Sequence, residues 1–328
     1  MKRKFTVSLI ILMAIGLVSC VEQGSTKAGS ATAKSMLQLV PADSRAVVMI
    51  DVRRTLGTDA VQNALKDEKT RQTYEGFVQM AGLDPMKDIY FVAVGLHWIR
   101  TNKRPNATII VNLNFNKDKL LAKLKEVAGD LSEEAYNGVI IYGGAEAGTP
   151  ETVAPAGAFL DDSNIVLGST KGVKAAIDVY QKKAEPVSKS PEMKRVLRSV
   201  NTAANIWAAV AVPEGLLKPL AEKNPMLKDL VELTGLTLSF DYAGKALTAE
   251  VQSLGGTREH NKTLAERLSG LKALGTLAAD KLPLQGELLK TIEISSGANY
   301  VKLHASIPEE VLEKARNLAL KMLRPPAQ

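Results

Sequence analysis

The chain predicts an α+β fold: two similar β-α-β-β-α-β-β-α units, each a mostly antiparallel sheet with helices packed on one face. Three observations lead there. Short runs rich in Val, Ile and Thr alternate with longer stretches whose apolar residues recur at helical spacing. Neighbouring strand runs are joined by short links such as Ala243-Gly244-Lys245, which suit antiparallel pairing and are too short for a parallel crossover. The element order of the first half recurs in the second, within 328 residues that accommodate two ordinary domains.

The first unit, residues 37–185, begins with the turn signal Pro41-Ala42-Asp43 and a buried-type strand, Arg45–Val52. Thr58–Ala81 is mostly helical. Val61, Leu65, Tyr74, Phe77 and Val78 face inward, and Gly82 is the C-cap. Asp88–Leu96 and Ala107–Phe115 are strands. Asn116 caps a helix whose Leu120, Leu121, Leu124, Val127 and Ala128 form one stripe. Gly138–Gly144 is a strand, and "AGAFLDDSNIVLGS" is a hairpin turning at Asp161-Asp162-Ser163-Asn164. Thr170 caps the helix that carries Val173, Ala176, Ile177 and Tyr180.

The second unit, residues 186–328, follows a charged, Pro-containing linker at Lys182–Pro191. Ala204–Val212 is a strand, and Pro213–Leu233 is helical with a break at Asn224-Pro225. "GLTLSFDY" and "ALTAEVQSL" form a hairpin. Thr257–Ala279 is helical, "KTIEISS" and "NYVKLHASI" are strands, and Glu309–Leu323 is the last helix. "VQMAGL" (Val78–Leu83) and "VELTGL" (Val231–Leu236) both end a first helix, which supports an internal duplication.

Ahead of both units stand Met1-Lys2-Arg3-Lys4 and an uncharged run, Phe5–Val18. Fourteen helical residues reach only about 21 Å, short of the ~30 Å hydrocarbon core, so the pattern is an export signal rather than a permanent span. Leu17-Val18-Ser19-Cys20 closes the run. It resembles the lipobox of bacterial lipoproteins. That resemblance implies a diacylglyceryl group on the Cys20 thiol, cleavage of residues 1–19, and an N-acyl chain on the new amine. Residues 20–36 are then the lipidated Cys and a small, polar tether with an r.m.s. reach of roughly 20 Å. Two or three acyl chains, at ~0.8 kcal/mol per buried CH₂, anchor a protein firmly. In such lipoproteins an Asp after the Cys often retains the protein in the inner membrane. Val21 stands here, which leans toward an outer-membrane location facing the periplasm.

Cys20 is the only cysteine, so its lipidation excludes disulfides, thiolate metal sites and thiol nucleophiles. Cleavage removes three cations from a net charge of +7. The mildly basic body that remains has no nucleic-acid signature. "VPADSRAVVMIDV" and "DDSNIVLGSTKGVKAAID" make the body similar to exported bacterial proteins of unknown function, a resemblance that implies location and fold type but no activity.

The search for chemistry finds little. His97, His260 and His304 are far apart, and none has zinc-ligand spacing. Asp161-Asp162 lacks a calcium loop's alternating acids, and no G-x-S-x-G occurs. "GGAEAGT" (Gly143–Thr149) lacks the P-loop lysine, and "LGSTKGV" is explained by a helix cap. "HWIRTNKRPN" places Trp98, Arg100, Lys103 and Arg104 at a hairpin tip as candidate contacts for lipid headgroups or anionic glycan. The expected function is therefore a lipid-anchored cell-envelope lipoprotein, binding or scaffolding rather than catalysing. No cofactor beyond the covalent lipid is expected, nor any metal. The membrane is the expected partner, with an envelope protein or glycan beside it. The alternatives are a carrier of a small apolar or lipid ligand in a cleft between the units, and a hydrolase assembled from distant Ser, Asp and His.

Overall fold

A continuous apolar run forms strand β1 at Ala46–Asp51, and the Asp51 carboxylate ends it by accepting a hydrogen bond from the Arg54 amide at 2.9 Å. A computed structural model describes residues 31–97, 106–143, 155–224, 228, 230–243, 245–277 and 283–322. The fold is α+β with antiparallel pairing, as expected, and the chain divides between Lys194 and Arg195 into two compact units.

In the first unit, α1 (Ala33–Met36) precedes β1, and α2 (Val52–Leu56), α3 (Asp59–Leu65), α4 (Glu68–Ala81) and α5 (Pro85–Asp88) follow it. Then come β2 (Ile89–His97), β3 (Asn106–Leu113), α6 (Lys117–Ala128), β4 (Ser132–Tyr136), β5 (Val139–Gly143), β6 (Pro155–Phe159), β7 (Asn164–Ser169) and α7 (Thr170–Tyr180). The strands pair in the order β1-β2-β3-β7-β6-β5-β4. The hairpin partner β4 has no apolar alternation. Its "SEEAY" is exposed on an edge, which is why the sequence pattern does not reveal it.

The helix layer is fuller than expected, because helices meet both faces of this sheet. α7 packs across β3, β6 and β7, with Val173, Ala176 and Ile177 fully buried. The other face carries a cluster of Val52, Leu56, Leu83, Ile89, Val111, Leu113 and Ile165. Adjacent residues on one strand point to opposite faces, so burial of both Ile110 and Val111 records both layers. The α6 stripe is only partly inward: Leu120 packs on that cluster, whereas Leu124 and Val127 are exposed.

Local signals hold in detail at several points. Gly82 caps α4 in the left-handed region at φ 66°, and Asn116 caps α6 through its bond from the Lys119 amide, 2.9 Å. The mostly helical stretch expected at Thr58–Ala81 is two helices, with a break before Asp67, whose carboxylate starts α4. The cap of α7 is Ser169 rather than Thr170: the Ser169 hydroxyl accepts from the Gly172 amide at 3.1 Å. The expected linker is instead bonded to the first unit. The Val187 amide donates to the Val40 carbonyl at 2.8 Å, and Val187 is fully buried.

Helix α8 (Pro191–Leu197) leads toward the second unit. There β8 (Ile206–Ala211), α9 (Lys218–Lys223), β9 (Leu233–Ala243), β10 (Ala246–Gly255), α10 (Arg258–Leu277), α11 (Pro283–Lys290), β11 (Ile292–Ser296), β12 (Tyr300–Pro308) and α12 (Glu309–Met322) follow. The strand order is β11-β12-β10-β9-β8. The two Val-x-x-x-Gly-Leu segments prove unlike. Gly82 is a left-handed cap, whereas Gly235 lies inside β9, where an added Cβ would stand 2.8 Å from a Val196 methyl. The shared hexamer therefore reflects no shared geometry.

Candidate functional site

Among the described residues, the most ordered polar cluster is built from the turn before β1, the end of β2 and the start of β3. Antiparallel register brings Thr108 opposite Gly168 and places His97 at the last paired position of β2. His97 is 8% exposed. Its Nε2 lies 3.3 Å from the Thr108 hydroxyl, and its Nδ1 lies 3.1 Å from Asp43 Oδ1. The second approach is electrostatic more than directional, since no well-aligned hydrogen bond satisfies Nδ1. The His97 contact holds the Asp43 carboxyl below its ordinary range, against the opposing effect of burial, and Lys171 adds to the lowering.

Carboxylate, imidazole and hydroxyl stand here in the order of a nucleophile relay. Access decides what the cluster can do. Thr108 is fully buried, and an added Cβ on Gly172 would lie 2.7 Å from its hydroxyl oxygen. A hydroxyl roofed by a helix meets no substrate, so the geometry is that of a clasp joining three segments. Sequence reasoning missed Asp43 and Thr108 because neither stands in a motif. Only strand pairing brings them to His97.

A depressed folded pKa means that the Asp43 contribution is present above the unfolded carboxylate value, 3.8, and is lost as pH falls through the folded value. Asp43→Asn is expected to lower stability at neutral pH by less than about 1 kcal/mol, because the carboxylate is largely exposed. The deficit should vanish below the carboxylate range. Urea unfolding at neutral and acid pH reads it, and a deficit that persists unchanged in acid would contradict the clasp.

The other histidines lie in the second unit, in different settings. His260 borders a shallow depression together with Glu232, Ser253, Gly256, Asn261 and Leu264. Its Nδ1 is 3.9 Å from Glu232 Oε2. His304 stands on the sheet directly between Glu250 and Glu293 of the neighbouring strands. Among the described residues no group of three or more His, Cys, Asp or Glu has metal-holding geometry. Asp161 is spent on its own turn, accepting from the Ser163 amide at 2.8 Å and from the Asn164 side chain at 2.9 Å. Leu17, Val18, Ser19 and Cys20 lie outside the described residues, as do Trp98, Arg100, Lys103 and Arg104 and all but the first residue of Gly143–Thr149.

The second unit also carries an apolar sheet face. Register aligns Ala208, Leu238, Val251, Leu303 and Ile294 in one row across all five strands. Ile206, Phe240, Ala249, Ala305 and Ile292 form the next row. Most of these residues are half-buried and Phe240 is 37% exposed, whereas Trp207 and Ala209 on the opposite face are sealed. No described helix is long and apolar enough to cross a membrane.

The sheets and their helices define an α+β protein. No protein-family model matches the chain, and no curated protein does. Among solved structures it is similar to TP0453 in crystal form III, with a TM-score of 0.50 and 9% identity over 88% of this chain and 98% of that one. Crystal form IV of TP0453 matches with a TM-score of 0.47 and 8% identity, covering 85% and 95% of the two chains. Crystal form I matches with a TM-score of 0.47 and 9% identity, covering 89% and 97%. At such identity the likeness shows the fold alone.

Proposed function

We propose that this chain is a lipid-anchored protein of the bacterial cell envelope with a non-catalytic binding or scaffolding role, held at the outer membrane and facing the periplasm. One observation carries the reading: Leu17-Val18-Ser19-Cys20 stands directly after a cationic start and an uncharged run, and holds the only cysteine. The body supports it with an α+β fold in which the Thr108 hydroxyl beside His97 is fully buried rather than open to substrate. The fold-level likeness to TP0453 in crystal form III supports the frame and says nothing of a ligand.

A second reading, a carrier for a small apolar or lipid ligand, is favoured by the half-buried apolar rows of the second unit. A flat apolar surface that is neither sealed nor polar offers an acyl chain area without demanding polar partners.

One experiment separates the two. Cells expressing the chain are fed labelled palmitate, and the protein is purified under denaturing and under native conditions. Wild type is expected to keep the label after denaturation, and Cys20→Ala to lose it and accumulate as the larger precursor. Label that survives denaturation in Cys20→Ala would overturn the anchor. Label that both forms carry natively and shed on denaturation is bound cargo, the carrier's signature.

A further inference from the structure

Helix α10 is apolar on the side it does not use for packing. Its buried positions are Asn261 and Ala265, and Lys272, on the same side, donates from Nζ to the Ile292 carbonyl of β11. At 100° per residue, Leu274 and Leu277 lie on the opposite side and Leu271 on the flank beside them. They are 56%, 65% and 79% exposed, the largest values among the described large apolar side chains. Leu124 and Val127 of α6 are a lesser case, because there the apolar arc still turns partly inward and Leu120 of the same arc packs on the core.

We propose that the Leu271–Leu274–Leu277 stripe seats on the surface of a lipid bilayer, as a second contact beside the lipid on Cys20. The inference rests on the anchored reading above. Two arguments select a bilayer as the occupant. The stripe is one residue wide and three leucines long, far short of the ~1,200 Å² that a specific protein interface buries, so it cannot hold a second copy or a free partner by itself. A bilayer needs no such area once the chain is tethered. Ten residues separate Cys20 from the first described residue, and a polar tether of that length holds the body at an effective concentration on the order of millimolar.

The single cysteine supplies the test. If Cys20 carries lipid, Leu274→Cys introduces the sole free thiol of the mature chain. A spin label placed there is read in vesicles of phosphatidylethanolamine and phosphatidylglycerol, against a label at exposed Glu259→Cys near the start of the same helix. The label at 274 is expected to become accessible to oxygen and protected from a water-soluble nickel chelate, and the label at 259 to stay aqueous. A label at 274 that stays aqueous overturns the proposal. Spin–spin broadening at 274 without vesicles also overturns it, since the stripe would then be a face between copies. Two labels per chain would mean that Cys20 is free and the anchor reading has failed. The stripe is then judged on the Cys20→Ala, Leu274→Cys chain added to the same vesicles, where an apolar label upholds it and an aqueous one does not. Leu271→Glu together with Leu274→Glu is expected to weaken vesicle binding of the Cys20→Ala chain without residues 1–19, the part that cleavage removes, by roughly a hundredfold, about tenfold for each leucine. Unchanged binding would rule the stripe out.

Discussion

Trp207→Ala is expected to destabilise the second unit by about 3–5 kcal/mol, a large share of the ~5–15 kcal/mol that holds a domain folded. Trp207 is 1% exposed, the bulkiest of the fully buried side chains, and it stands on β8 directly opposite Ser239. Its neighbours on the same face of the strand, Ala209 and Ala211, are small and also sealed. Nothing of comparable bulk on β8 can fill the space an indole leaves, so the cost includes a cavity as well as lost transfer energy. Trp207→Phe keeps an aromatic ring and is expected to lose less. Urea unfolding followed by circular dichroism measures both. A midpoint unmoved by Trp207→Ala would show that this face of the sheet is not a packed core.

Gly255→Ala is expected to cost at least about 2 kcal/mol through the backbone rather than through lost contacts. Gly255 ends β10 at a register shift and holds φ 122°, a conformation that a residue with a Cβ rarely adopts. An added Cβ would stand 2.2 Å from the Glu232 carbonyl oxygen. Neither side can yield easily. The Gly255 amide donates to the Asn299 carbonyl at 2.9 Å, and its own carbonyl accepts from the Asn261 side chain at 3.0 Å. Gly270→Ala is the matched control: an added Cβ there meets nothing within 4 Å, and the residue lies inside α10. That change is expected to stabilise by up to ~1 kcal/mol, since alanine is the better helix former. Equal effects from the two substitutions would remove the argument for a strained corner at Gly255.

The two substitutions also mark where sequence reading reaches its limit. Gly82 could be read as a helix cap because a cap is local: a helical period stops and glycine follows. Gly235 and Gly255 stand in strand pattern, and what makes glycine necessary there comes from elsewhere in the chain: Val196 for one, Glu232 for the other. The missed cap at Ser169 is a local misreading, since its hydroxyl accepts from the Gly172 amide three residues on and serine is the better cap by type. The distinction between near and distant partners does explain the mistaken linker. Lys182–Pro191 has linker composition, yet Val187 is buried and bonded to Val40, a pairing that composition does not encode.

What the sequence by itself determined is whatever depends on neighbours along the chain: the α+β class, most strand and helix positions, the hairpin at Asp161–Asn164, and the lipidation motif on which the proposed anchoring rests. Period, cap and turn chemistry act over a few residues, so they are legible in one dimension. What only the tertiary structure decided is which side of each amphipathic element meets the body. Helical spacing places Leu124, Val127, Leu271, Leu274 and Leu277 on apolar faces, but it cannot say whether a sheet lies beneath them, and here they remain exposed. It likewise decided that Asp43, His97 and Thr108 meet, because antiparallel register and a turn bring together groups that the chain keeps apart.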